Sequence, residues 1–345
     1  MFRPWQHYIG VDLGTATVLI YVKGRGIMLR EPSVIAVSSG SNALKAVGDE
    51  AYRMLGRTPG NITANRPMRD GVIADYDLTE KMLKAFMQKV VTGPGRWFRP
   101  HIMVCVPSGV TEVERRAMLQ AAREVGAKRA YLIEEPLAAA IGAGVRIAEP
   151  TGSMIVDIGG GTTDVAIISL GGIVVSESVR IAGNEFDEAI IRHIRHRENL
   201  LIGERTAEEI KVQVGSATVT GPDDIRSIQV RGRDLINGLP KTITVTTEDV
   251  TAALQEPIQK IADAVRRVLE QAPPELVADV IDRGIIMTGG GALLHNFDEL
   301  LRQTTGIPVA VAENAVDSVA LGTGEALELI PLLRDALVSD SFLRR

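Results

Sequence analysis

Apolar positions along this chain change period every few residues, and the changes mark out elements. Tyr8–Asp12, Val18–Val22 and Gly26–Arg30 read as strands, followed by Ser33–Val37. A polar, loop-rich insertion then runs to about Arg66. Over Asp77–Val91 the apolar positions Leu78, Met82, Leu83, Phe86 and Val90 follow helical spacing, with Asp75 and Asp77 as capping residues. His101–Val106 is an apolar run closed by Pro107, hence a strand. Glu112–Val125 is a helix capped by Thr111 and stopped by Gly126. Ala130–Ile133 predicts a strand and Glu135–Ala143 an Ala-rich helix in close packing.

The second half repeats this plan. Ile155–Ile158, Val165–Ile168 and Ile173–Glu177 are strand-like, then helices are expected over Phe186–Arg197 and Thr206–Val214. Ser227–Val245 reads as strands with turns. Thr247 is the expected cap of a long helix, Glu248–Gln271, bent at Pro257. Ile285–Met287 is a buried strand with a helix after it, Ile307–Ala312 a late strand, and the last helices are expected from about Ser318 to Val338. The order β-β-β-α-β-α-β-α, occurring twice, implies an α/β architecture with mixed sheets.

Two stretches are near-copies at equivalent places in the two halves: Gly10-Val11-Asp12-Leu13-Gly14-Thr15-Ala16-Thr17, and Ile155-Val156-Asp157-Ile158-Gly159-Gly160-Gly161-Thr162-Thr163-Asp164. Each is a strand, a tight turn of glycine and hydroxyl residues, and a returning strand. Glycine admits close approach to a ligand, and the N–H and hydroxyl groups can cradle phosphate oxygens. Asp12 and Asp157 end equivalent strands and suit a Mg²⁺ ion held through water between facing turns. One such hairpin is common; a matched pair points to a duplicated fold with a nucleotide between its halves.

At 345 residues two domains are expected. A formal net charge of −5 argues against general nucleic-acid binding. The lone cysteine, Cys105, lies in an apolar strand run, excludes an internal disulfide and fits a cytosolic setting. No run of 18 uncharged apolar residues appears, and the N-terminus has no signal-peptide core.

The paired phosphate turns and a third turn, Thr288-Gly289-Gly290-Gly291, resemble the actin, Hsp70 and sugar-kinase superfamily. Within it the chain is similar to bacterial actins of the MreB/Mbl family. The stretches that carry this are Gly56-Arg57-Thr58-Pro59-Gly60-Asn61, Arg66–Asp75, Val113–Arg116, Ile133–Pro136 with Ala138–Gly142, Gly203–Glu208 and Pro273–Leu276. The resemblance implies an actin-like ATPase fold of duplicated ribonuclease H-like lobes. The first lobe would span 1–145 with an insertion at about 33–65. The second would span 146–314 with an insertion at about 182–245, and residues 315–345 would be C-terminal helices returning to the first lobe.

It also implies ATP and Mg²⁺ as ligands. Gly14, Thr15, Ala16 and Thr17 would form the first phosphate site, and Gly159, Gly160, Gly161 and Thr162 the second, with Asp12 and Asp157 near the metal. Thr288, Gly289, Gly290 and Gly291 would lie along the adenosine, and Glu208, Glu209, Ile210 and Lys211 on the helix that meets adenine and ribose. Glu135 would orient the attacking water, with Thr162 holding that water or a phosphate oxygen. Two positions depart from the family pattern: Thr17 replaces a common Asn, and Asp164 stands where MreB often has Glu and Mbl has Asp.

The function implied is polymerisation into paired antiparallel protofilaments beneath the cytoplasmic membrane, organising cell-wall elongation and rod shape, with slow ATP hydrolysis regulating assembly. The alternative is a small-molecule (sugar) kinase, for which no sugar-binding motif is evident. Arg96-Trp97-Phe98-Arg99 suits insertion at a membrane surface through Trp97 and Phe98, with Phe2 and Trp5 adding to the patch. Rings folded back onto the protein are the competing reading. His193 and His196 lack a third ligand nearby and read as surface residues.

Overall fold

The computed structural model describes residues 8–91, 99–333 and 336–339. Three antiparallel strands open the first half: β1 (Tyr8–Leu13), β2 (Thr17–Val22) and β3 (Gly26–Pro32). The polar insertion at about 33–65 is a small ordered unit. Strands β4 (Ile35–Ser38) and β5 (Leu44–Val47), helix α1 (Asp49–Met54) and strand β6 (Ile62–Asn65) enclose a small core of Val34, Ala36, Ala46 and Ala51. The hairpin β7 (Met68–Arg69) and β8 (Val72–Ile73) follows, then α2 (Tyr76–Val90), β9 (His101–Val106), α3 (Glu112–Glu124), β10 (Arg129–Glu134) and α4 (Glu135–Gly142). Asp75 caps α2 by accepting from the Leu78 N–H, and Thr111 caps α3 in a reciprocal box with Glu114.

The second half opens identically with β11 (Ser153–Ile158), β12 (Thr163–Ser169) and β13 (Gly172–Val179). Its insertion holds α5 (Gly183–Glu198), β14 (Leu200–Leu201), α6 (Glu204–Val214), β15 (Ser227–Asp234) and β16 (Pro240–Thr246). The chain then runs through α7 (Thr247–Gln271), α8 (Pro274–Arg283), β17 (Ile285–Thr288), α9 (Phe297–Thr305), β18 (Val309–Val311), α10 (Ser318–Ala326) and β19 (Val338–Ser339).

The two main sheets have one topology. They share the orders β3-β2-β1-β9-β10 and β13-β12-β11-β17-β18, each with an antiparallel meander followed by parallel crossover strands, and the first sheet carries β19 beyond β10. Both faces of each sheet are covered, so the central strands read as continuous apolar runs. Alternate residues divide between cores. Ile102, Val104 and Val106 face an outer core with α2 and α3, whereas Met103 and Cys105 join Ile155, Ala166 and Ile168 of the other sheet in a shared core. Helices α4 and α10 lie in that shared layer and approach to backbone contact. A Cβ on Gly142 would sit 1.8 Å from the Ser318 carbonyl oxygen, and one on Gly322 1.8 Å from that of Ala138.

Two expectations are corrected. Thr246, not Thr247, caps α7: its side chain accepts from the Asp249 N–H while Asp249 accepts from the Thr246 N–H. Thr247 instead accepts from the Arg226 N–H at 3.0 Å, tying the first turn to β15. The chain also does not end in helix up to Val338. Val338 and Ser339 pair with Leu132 and Tyr131, adding a strand to an edge that β10 would otherwise expose.

Candidate active site

Both matched motifs are hairpin turns, at β1–β2 and β11–β12, and they meet face to face. A Cβ on Gly160 would lie 2.5 Å from the Ala16 Cβ, and one on Gly161 2.5 Å from the Thr15 hydroxyl oxygen. Glycine is required there by close approach of the two turns, a constraint additional to any ligand. Thr15 and Thr162 are buried beside this contact, whereas Thr17 is half-buried as the first residue of β2, in register with Pro32.

Residues that sequence reasoning did not select hold these turns. Ser33 donates its hydroxyl to the Gly14 carbonyl, and its N–H donates to Ala16, so the first turn is clamped from β3's far end. The β7–β8 turn, Asp70-Gly71, reaches both motifs. The Gly71 N–H donates to the Thr15 hydroxyl at 2.8 Å, and a Cβ on Gly71 would touch Thr162 and Pro107. Its signal was present: an Asp-Gly pair at positive φ is a tight-hairpin signature.

The carboxylates converge. Asp157, at the end of β11, accepts from the buried Thr288 hydroxyl at 2.7 Å. Thr288 thus serves this carboxylate directly, while Gly289, at φ 82°, packs against the Ile158 backbone where any side chain would collide. Burial pushes Asp157 up to about 7, opposed by the Thr288 hydrogen bond and reinforced by the charge of Asp12. Asp12 is pushed up to about 6 by burial, with the Cys105 thiol donating to it at 3.3 Å and partly offsetting the rise. Glu135, the first residue of α4, is held well above the usual carboxylate range by burial, then by the charges of Asp164, Asp12 and Asp157.

Asp164 is the functional candidate that motif reading passed over. It lies opposite Asp157 in the β11–β12 register, is fully buried and accepts from the Ser108 N–H at 2.8 Å. Burial pushes it up to about 7, and the hydrogen bond from the Ser108 N–H opposes that. Four like charges grouped in a largely buried site are costly unless protonated or matched by a cation.

On α6 the four selected residues separate by helical phase. Ile210 is buried in the second-half core and Glu209 is exposed, bonded by Gln213. Lys211 donates to the Gly183 carbonyl at 3.0 Å and to Asp187, beside the second turn, while Glu208 accepts from Tyr52 of the other half. Gly290 and Gly291 begin a short 3₁₀ turn after β17, with Gly291 packed on Ile158. Trp97, Phe98, Phe2 and Trp5 lie outside the described residues. No helix among those described is long and apolar enough to cross a membrane.

The protein-family model for MreB/Mbl protein matches residues 6–334. The chain is 54% identical over 320 residues to the cell shape-determining protein Mbl of Bacillus subtilis, covering 93% of this chain and 95% of that protein. It is 53% identical over 336 residues to the cell shape-determining protein MreB of Escherichia coli, covering 96% of each. Among solved structures, MreB 5 of Spiroplasma citri bound to AMPPNP superposes with a TM-score of 0.90 at 41% identity, covering 96% of this chain and 98% of that one. A MamK double helical filament matches in fold, with a TM-score of 0.78 at 24% identity over 94% of this chain and 99% of that chain. The duplicated sheets, the facing carboxylate turns and these matches establish an actin-like α/β fold, and the chain belongs to the MreB/Mbl family.

Proposed function

We propose that this chain is an ATP-binding cytoskeletal subunit that polymerises beneath the cell membrane and maintains rod shape by organising cell-wall synthesis. One observation carries the nucleotide reading: two matched hairpin turns meet at a junction where half-buried Asp12 and buried Glu135, Asp157 and Asp164 converge. The relatives named as cell shape-determining proteins support the cellular role, and the AMPPNP carried by the S. citri MreB 5 structure supports the ligand class.

The carboxylates fit a hydrated divalent cation. Their grouped negative charge calls for one, and a cation that keeps its waters needs few direct protein ligands. That suits Mg²⁺, which keeps several of its waters. Asp12 and Asp157 would hold it, and when bound it would neutralise phosphate charge. The turns would supply N–H donors to the phosphate chain, and the Thr15 hydroxyl, which accepts from the Gly71 N–H, has one proton of its own to donate there. Glu135, at the head of α4 beside these carboxylates, would orient the attacking water and take its proton once a bound cation offsets the burial and like charges that otherwise keep it protonated.

The reading is tested by pelleting and electron microscopy of the full chain with ATP and Mg²⁺. Glu135→Gln should still bind ATP and form filaments while phosphate release falls at least about tenfold. Undiminished release would remove Glu135 from the mechanism, and ADP release that depends on an added sugar would favour a kinase. Membrane attachment is proposed through Trp97 and Phe98, on their amphipathic rings between arginines. The paired variant Trp97→Ala with Phe98→Ala should lose most flotation with anionic liposomes; unchanged flotation would refute that role.

A further inference from the structure

The two halves touch at a second place, away from the glycine turns. Tyr52, on α1 of the first-half insertion, donates its hydroxyl to the Glu208 carboxylate on α6 of the second half. Its ring packs on the small core beneath α1. Two guanidinium groups lie over that ring, one from each half: Arg66 at 5.8 Å and Arg205 at 5.6 Å from the centroid. Arg66 also faces Glu204, at 3.8 Å. Every second-half partner in this cluster comes from the first two turns of α6.

The same helix reaches the phosphate side at its next turn. Lys211 donates to the Gly183 carbonyl, and the Gly183 N–H donates to Gly159 at 3.1 Å, in the second glycine turn. The Asn184 N–H donates to Gly160 at 2.8 Å. A continuous run of hydrogen bonds and one rigid helix therefore joins Tyr52 in the first half to Gly159 and Gly160 in the second.

We propose that Tyr52 is a positioning residue for nucleotide retention: its hydroxyl fixes Glu208, and through α6 holds Lys211 and the second turn against a cleft closed by contact between the insertions. Tyr52 would act through Glu208 and α6. The exposed ion pair of Arg66 with Glu204 adds little on its own. The neutral hydroxyl donating to a carboxylate is the stronger link, because hydrogen bonds to charged groups exceed neutral ones. Release of nucleotide then requires this link to open.

The proposal rests on the nucleotide reading above, and the experiment separates the two. Dissociation of a fluorescent N-methylanthraniloyl ADP with Mg²⁺ is measured by stopped flow for the full chain, Tyr52→Phe, Glu208→Gln and the double variant, with thermal midpoints taken alongside. Tyr52→Phe keeps the ring, its packing and both guanidinium contacts, so its midpoint should stay near wild type while release accelerates about fivefold or more. The double variant should release no faster than the faster single variant, because both break one link. A Tyr52→Phe release rate within twofold of wild type, or effects that multiply in the double variant, would overturn the role of Tyr52 and leave the nucleotide site standing. Absence of nucleotide binding by the wild-type chain would overturn both.

Discussion

Asp12, Asp157 and Asp164 hold protons to a pH at which an unfolded chain has lost them. Each rises from 3.8, to about 6 for Asp12 and about 7 for the other two, so between about pH 4 and 7 the native state binds more protons than the unfolded state. Stability from these groups is complete at the acid end of that window and is lost as pH rises through it. His193, held below its usual value by burial, acts in the opposite sense but is a single group. The nucleotide-free chain should therefore melt at a lower temperature at pH 8 than at pH 5.5. Asp157→Asn should flatten that dependence, and Mg²⁺ with ATP should raise the midpoint more at pH 8. A nucleotide-free midpoint that climbs between these pH values would contradict the assignment. Individual residues were legible where chemistry and spacing coincided, as at Asp12 and Asp157. Ser33 and Tyr52 were not, because each acts on a partner far away along the chain, at Gly14 and Glu208.

Among the elements, strands with two buried faces and helices with clear caps were readable to within a residue or two. His101–Val106 and the start of α3 are examples: unbroken apolar run and Pro107 in one, Thr111 in the other. The long helix α7 shows where local reading fails. Two consecutive threonines compete for its cap, and only the acid three residues after Thr246 completes a reciprocal pair. Thr246→Ala should cost about 1 kcal/mol of stability in urea titration. Thr246→Ser, which keeps a capping hydroxyl, should restore most of that stability, and failure to restore it would mean that the Thr246 hydroxyl is not the cap. Helix α8 escaped the sequence reading although Pro273-Pro274-Glu275 is a helix-start signal, and β19 escaped because two residues carry no period. Its existence depends on the free edge of β10, which is tertiary information.

At the scale of the molecule, α4 and α10 set how the halves are joined. Their contact through Gly142 and Gly322 leaves no room for a methyl group, and α4 carries Glu135 at its first position. Gly322→Ala should destabilise the chain by about 2 kcal/mol, read by chemical denaturation, and slow phosphate release in the fraction that stays folded. Wild-type stability in that variant would mean that the crossing can open without cost. The duplication of the fold was legible from the repeated Asp-Gly turns, since each repeat carried its own strand pair. How closely the copies approach was not, because that spacing is set by side chains missing from Gly160 and Gly161.

The two sheets share one strand order, so their meeting place has near twofold symmetry. A nucleotide has none: its phosphate chain has a nucleoside at one end only. Such a guest can sit in a symmetric cradle in either direction unless the copies have diverged. Here they have. The Ser33 clamp belongs to one turn and the Thr288 hydroxyl to the other, while Glu135 and Asp164 occupy unlike positions in the two repeats. For the proposed nucleotide, direction would then be written in the differences between the copies, and a subunit whose ligand has a fixed heading would also have a defined front and back.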